Sequence, residues 1–330
     1  MRIVKILGLC LAALVLLLVV VVCGGLGYLW LHFPQVGPAP ALSITPTTAL
    51  RERGAYLYDH VTACGSCHST RDWSSPVGPV LPGTEGKGGE AFSTAEGIPG
   101  TIYAANITPS GIGSWSDGEL WRSLVCGVAR DGTALFPLMP YGNYRQLSVD
   151  DLTALIVYVR TLPPIAHAVP PRHLLFPMNL IVRTIPREVA PPASAPERSD
   201  SVAYGRYLAT AASCTDCHSP RVHGALVAGR EFAGGTAFAT AHGTVLSANL
   251  TPDASGIGTW TKAIFLARFA SGPEVSGAAL GFDTPMPWMA YHGMSSEDLG
   301  AIYDYLRSVA PVAQTVPVLL PAAPAGQSGQ

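Results

Sequence analysis

From Ile3 to Leu31 the chain is almost unbroken apolar sequence, interrupted by Lys5 near its start and by Gly24-Gly25. A run of that length exceeds the roughly 20 residues that cross a hydrocarbon core, so it predicts a transmembrane helix within residues 1–33. A cleaved signal peptide competes with that reading. Its apolar region is shorter, however, and ends in a small-x-small site; no Ala-x-Ala follows here, and Val22 precedes Cys23 where a lipoprotein site wants a small residue. Beyond the run, apolar positions fall at helical spacing. Leu152–Leu162 and Leu299–Val309 each begin at an Asp-Leu pair and end in Tyr-Val-Arg or Tyr-Leu-Arg with proline just beyond, which is a helix stop. Gly54-Ala55-Tyr56-Leu57 and Gly205-Arg206-Tyr207-Leu208 predict two earlier helices that turn a tyrosine and leucine face to the core.

These elements come in pairs because the chain repeats itself. Ala105-Asn106-Ile107-Thr108-Pro109 returns as Ala248-Asn249-Leu250-Thr251-Pro252, each followed by Gly-Ile-Gly-x-Trp ending at Trp115 and Trp260. Met139-Pro140-Tyr141 returns as Met286-Pro287-Trp288, ahead of the last helix of each half. The predicted organisation is an anchor (1–33), a linker (34–48), a first domain (49–164), a Pro-rich linker (165–200), a second domain (201–311) and a flexible tail (312–330). Prolines at 163, 164, 170, 171, 177, 186, 191, 192 and 196 exclude regular helix from most of the long linker.

Composition narrows the function. Net charge is −2 with only three lysines, so there is no basic footprint for nucleic acid. Thirty-five glycines and 29 prolines predict long irregular connections between short helices. Arg2 and Lys5 precede the apolar run, which by the positive-inside rule leaves the N-terminus in the cytoplasm and everything after His32 outside. Of seven cysteines, two lie in the run and Cys126 stands alone as a small buried hydrophobe; the other four carry the chemistry.

Those four form Cys64-Gly65-Ser66-Cys67-His68 and Cys214-Thr215-Asp216-Cys217-His218. C-x-x-C-H is the pattern of covalent c-type haem attachment: two thiols bond the vinyl groups of one porphyrin edge, and the next histidine reaches the iron. A zinc site needs four converging ligands, and these pairs stand far apart in sequence. The expected cofactors are therefore two haem c groups, on Cys64 and Cys67 and on Cys214 and Cys217, with His68 and His218 as iron ligands. Met139 and Met286 are the expected second ligands, because the repeat pairs them and a methionine sulfur suits an electron carrier. Met289 and Met294 are read as packing residues, and Met178 as packing the linker on its domain. His60, His167, His173, His223, His242 and His292 have no repeat counterpart and are read as non-ligands. Trp115 and Trp260 are assigned to pocket walls. Asn106 and Asn249 are open between holding a loop, against propionates or backbone, and simply forming a turn.

With these blocks the chain resembles the diheme cytochrome c family, above all the membrane-bound cytochrome subunits of periplasmic alcohol, aldehyde and gluconate dehydrogenases. The resemblance covers about Ala49 to Pro311 and includes Phe176-Pro177-Met178-Asn179. It implies an all-α architecture of two tandem class I-like cytochrome c domains. It also implies no catalysis of its own: the chain would relay electrons from a periplasmic dehydrogenase to a quinone pool, soluble cytochrome or terminal oxidase at the bacterial inner membrane. Such subunits typically carry three haem motifs and this chain has two, which favours a simple relay. A diheme peroxidase would need one open iron and unequal halves, whereas the halves here match. A cytochrome subunit of a terminal oxidase would look much the same.

Overall fold

The computed structural model describes residues 2–75, 77–222, 224–240, 243–271, 284–317 and 319–321. The N-terminal helix spans Arg2–His32 with mean hydropathy 3.3 in its most apolar window, and none of that window is buried against the rest of the protein. At 1.5 Å per residue it is roughly 46 Å long, more than the ~30 Å of a hydrocarbon core. By length and composition it can cross a membrane, a test a signal sequence also passes.

Each half is built on a pair of crossing helices. Thr48–Tyr56 packs along Val149–Val159, and Ser201–Ala211 along Ser296–Ser308. Glycine sets both crossings: a Cβ on Gly54 would lie 2.0 Å from the Ala154 carbonyl oxygen, and one on Gly205 would lie 1.9 Å from that of Ala301. Serines cap the later helices, Ser148 accepting from the Asp151 amide and Ser295 from that of Asp298. The amphipathic faces read from the sequence are the buried ones: Leu152, Leu155, Leu299, Ile302 and Leu306 all enter the core.

That core is shared between the halves. The contact is reciprocal. The Tyr207 hydroxyl, from the second half, donates to Asp151 of the first (2.6 Å) and accepts from the Ser148 amide (3.0 Å). In turn the Tyr56 hydroxyl donates to Asp298 (2.7 Å) and accepts from the Ser295 amide (3.1 Å). Both carboxylates are buried, and each has an arginine: Arg53 forks onto Asp151 at 2.8 Å, and Arg198 reaches Asp298 at 2.9 Å. Buried charges need such partners. The two halves thus meet about an internal pseudo-twofold.

The expectation of an all-α chain is wrong. Among the described residues there are three small antiparallel sheets: Ala91–Phe92 with Gly100–Tyr103 and His173–Leu174; Arg221–Val222 with Ala225–Leu226; and Ala237–Thr240 with Gly243–Leu246 and Leu319–Pro321. The reason lies in the long stretches between each histidine motif and each Asn-x-Thr-Pro block. Glycine and proline keep them out of helix, so their backbone groups are satisfied by pairing with one another. In two sheets an outer strand comes from beyond the sequence repeat. Gly100 pairs with Leu174 and Gly243 with Pro321, in the same register, so the long linker and the tail run equivalent courses. Of the stretch expected to be a flexible tail, Val312, Gln314 and Leu319–Pro321 are bonded to the second half, and 322–330 lie outside the described residues.

Candidate functional site

Each C-x-x-C-H motif occupies a single short helical turn, Gly65–His68 and Cys214–His218. The residue at each entrance, Ala63 (φ 49°) or Ser213 (φ 56°), takes the left-handed conformation that breaks the incoming helix and starts the new turn. The imidazoles are fixed in the same way. His68 Nδ1 lies 2.7 Å from the Ala105 carbonyl oxygen, and His218 Nδ1 lies 2.8 Å from that of Ala248. A carbonyl only accepts, so each Nδ1 carries the proton and each Nε2 presents a lone pair, as a metal-ligating histidine requires. Desolvation lowers both imidazole pKa values, which keeps them neutral.

The carbonyls are themselves held by the next residue. Asn106 is buried; its Oδ1 accepts from the Thr108 amide (2.9 Å) and hydroxyl (2.7 Å), while its Nδ2 donates to the carbonyls of Ile165 (2.8 Å) and His167 (3.3 Å). Asn249 does the same with Thr251 (2.9 and 2.8 Å), Val312 (2.9 Å) and Gln314 (3.2 Å). The question left open for these asparagines is thereby answered within the protein: both bind backbone, tying the histidine-holding loop to the returning strand.

Sequence reasoning missed a further part of this cradle. Gly88 donates its amide to the His68 carbonyl at 2.8 Å, and Gly234 does so to His218 at the same distance. Both have φ near +70°, and a Cβ on either would come within 2.5 Å of the Ala105 or Ala248 peptide. Only glycine lets the backbone that grips the histidine pass that close. The buried hydroxyls of Ser69 and Ser219, directly after the histidines, accept from the amides of Gly86 and Phe232 in equivalent turns. The signal was present: Gly88-Gly89-Glu90-Ala91-Phe92 and Gly234-Gly235-Thr236-Ala237-Phe238 repeat one another.

The four motif cysteines all reach the surface, and none is paired in a disulfide. Cys67 and Cys217 are exposed and Cys64 and Cys214 half-exposed, yet desolvation pushes Cys64 and Cys217 up to about 11 and Cys214 to about 12. Thiol pair, neutral imidazole and apolar wall together fit a covalently held haem edge. Among the described residues no group of three or more His, Cys, Asp or Glu is placed to hold a bare metal ion. Two surface clefts, at Trp115–Asp131 and at Arg198–Asp304, lie away from this chemistry.

Met139 and Met286 are both half-buried and occupy equivalent bends: the Tyr141 amide donates to the Met139 carbonyl and the Trp288 amide to the Met286 carbonyl, each at 2.8 Å. Met139 packs on the same core as Cys64 and Cys214. Met294 is buried in that core, Met289 is exposed, and Met178 packs beneath the linker. His60 faces the Ala290 carbonyl and His292 that of Phe269; His167 abuts Gly89, and His173 lies exposed in a strand. His223 and His242 lie outside the described residues. Trp115 and Trp260 are half-buried against the core, and Cys126 is buried in it.

Residues 202–310 match the cytochrome c family. The chain is also 31% identical over 216 residues to a diheme cytochrome c-type protein of Cereibacter sphaeroides, covering 62% of this chain and 68% of that one. The chain belongs to the cytochrome c family. The cytochrome is also 30% identical over 296 residues to the fructose dehydrogenase cytochrome subunit of Gluconobacter japonicus, covering 82% of this chain and 54% of that one. With the gluconate 2-dehydrogenase cytochrome c subunit of Pantoea cypripedii it shares 30% over 283 residues, 79% of this chain and 60% of that one. It thus spans little more than half the length of these two relatives. Family membership makes haem c the cofactor.

Proposed function

We propose that the cytochrome carries two haem c groups and passes electrons between them, from a periplasmic dehydrogenase toward a quinone, soluble cytochrome or oxidase. In this reading Arg2–His32 anchors it in the bacterial inner membrane with the N-terminus inside, and two tandem domains, about 49–164 and 201–311, each hold one haem. Cys64 and Cys67, and Cys214 and Cys217, form the thioethers. His68 with Met139, and His218 with Met286, are the ligand pairs. When bound, haem c supplies an iron that takes up and returns a single electron. The protein contributes rigidity: Ala105, Asn106 and Gly88, and their counterparts, keep each imidazole from moving between oxidation states.

The observation that carries the relay is that the loop after Met139 bonds directly to the second motif. Asn143, four residues past Met139, donates through Nδ2 to Ser213 Oγ (3.0 Å) and to Asp216 (2.8 Å) inside the second motif. Tyr144 and Tyr291, equivalent in the repeat, are pushed far up by burial and then by neighbouring cysteines, Cys64 and Cys67 for one and Cys214, Cys217 and Cys67 for the other. The dehydrogenase partner rests on the relatives, whose names make them subunits of fructose and gluconate dehydrogenases.

The test is haem stoichiometry and the absorption spectrum of the membrane-extracted protein. Two haems c per chain, both low-spin with the weak sulfur-to-iron band when oxidised, are expected. One haem per chain, or a high-spin signal from half the sites, overturns the reading.

A further inference from the structure

The segment from His173 to Pro186 turns apolar side chains outward from a firm base. Leu174 and Val182 are buried with Ile98 and Ile102, and His173–Leu174 is paired into a sheet. Yet Leu175 is 49% exposed, Phe176 72%, Ile181 45% and Ile185 37%. None of the other described residues covers them. The same segment grips the end of the N-terminal helix: the Arg183 guanidinium stacks 4.6 Å from the Trp30 ring, and its Nη2 donates to the carbonyls of Trp30 (2.7 Å) and Phe33. Basic groups gather there in an otherwise acidic chain, with Arg172, Arg183 and Arg187 against Glu188 between residues 172 and 188.

We infer that residues 175–185 are a second membrane contact, an interfacial foot that lies in the outer leaflet beside the span. This inference rests on reading Arg2–His32 as a membrane span. If that helix crosses the bilayer, Trp30 lies at its outer boundary, where indole rings collect, and Arg183 holds the foot at the same level. Phe176, Leu175, Ile181 and Ile185 then enter the upper acyl region while Arg187 stays among lipid phosphates, the division of labour of a monotopic element. A single helix leaves a body free to tilt and swing. A foot beside it fixes which face of the haem-bearing body looks along the membrane and which looks away.

The experiment uses the full-length holoprotein in nanodiscs of phosphatidylethanolamine and phosphatidylglycerol, in a C10A/C23A background with buried Cys126 shown to be unlabelled. A nitroxide is placed by Phe176→Cys and, in a second protein, by Ile181→Cys; L16C marks the span and V222C marks water. Collision with oxygen, which partitions into lipid, is compared with collision with a water-soluble nickel chelate. Oxygen-to-nickel ratios at 176 and 181 several-fold above that at 222, toward the value at 16, are expected. Water-like ratios at 176 and 181 with a lipid-like 16 overturn the foot, and so does shielding from both reagents, which marks contact between copies. A water-like 16 overturns the span reading and the inference with it. Haem content and absorption spectrum confirm that each labelled protein is folded.

Discussion

One backbone carbonyl on each side decides how a histidine stands, and three residues decide where that carbonyl goes. Ala105 and Ala248 supply the oxygens, Asn106 and Asn249 tie them down, and Gly88 and Gly234 make room. Replacing Gly88 or Gly234 by alanine adds left-handed backbone strain of about 1–2 kcal/mol and a collision that must push the peptide aside. The expected result is a protein that still binds haem but unfolds at lower denaturant, with part of the affected site high-spin; haem absorbance during titration measures both. N106A and N249A leave the buried Thr108 and Thr251 amides without their acceptor, which costs about 1–3 kcal/mol each. These variants should lose stability while their thioethers still form, as haem-stained gels would show. The two C-x-x-C-H turns were legible because covalent haem attachment demands a fixed local order. The glycine cradle was harder to see, since its partners are backbone atoms distant in sequence; only the repeat of Gly-Gly-x-Ala-Phe betrayed it.

At the scale of elements, the helices could be read from spacing and stop signals, whereas the sheets could not. A four-residue strand such as Gly243–Leu246 acquires its meaning from Ala237–Thr240 on one side and Leu319–Pro321 on the other, and the second partner comes from outside the matched blocks. Helix crossings are the more fragile joints. With a Cβ 1.9–2.0 Å from a carbonyl oxygen, G54A and G205A must force the helices apart, and calorimetry should show each melting well below the wild type. The reciprocal tyrosines give a pH signature. Burial pushes the Tyr56 phenol up to about 12, and Tyr207 higher still. Below the ordinary tyrosine value of about 10 both phenols are protonated, folded or unfolded, and their contribution is whole. Between about 10 and 12 the unfolded chain sheds its protons first, so stability falls as pH rises. The Y56F/Y207F double variant should be less stable at neutral pH and flatter through that alkaline window. An equally steep fall in the variant would place its origin in other groups.

For the whole molecule, the joint between halves matters most where the loop after Met139 meets the second motif. Asn143→Ala removes the bonds to Ser213 and Asp216 without touching any proposed ligand. Haem content should be unchanged, while electron equilibration between the sites after flash photoreduction slows several-fold; an unchanged rate would mean that the shared core alone sets the spacing. The reciprocity of Tyr56 on Asp298 and Tyr207 on Asp151 has a wider consequence. Contacts in which each partner gives what it receives are those of a twofold homodimer. Here the symmetry operator is written into one polypeptide, so assembly no longer depends on protein concentration, and mutation at one site is not copied to the other. A dimer of identical units has two identical redox centres and no built-in direction. A tethered pair is free to drift apart in potential, and that freedom is what gives a current an uphill and a downhill end.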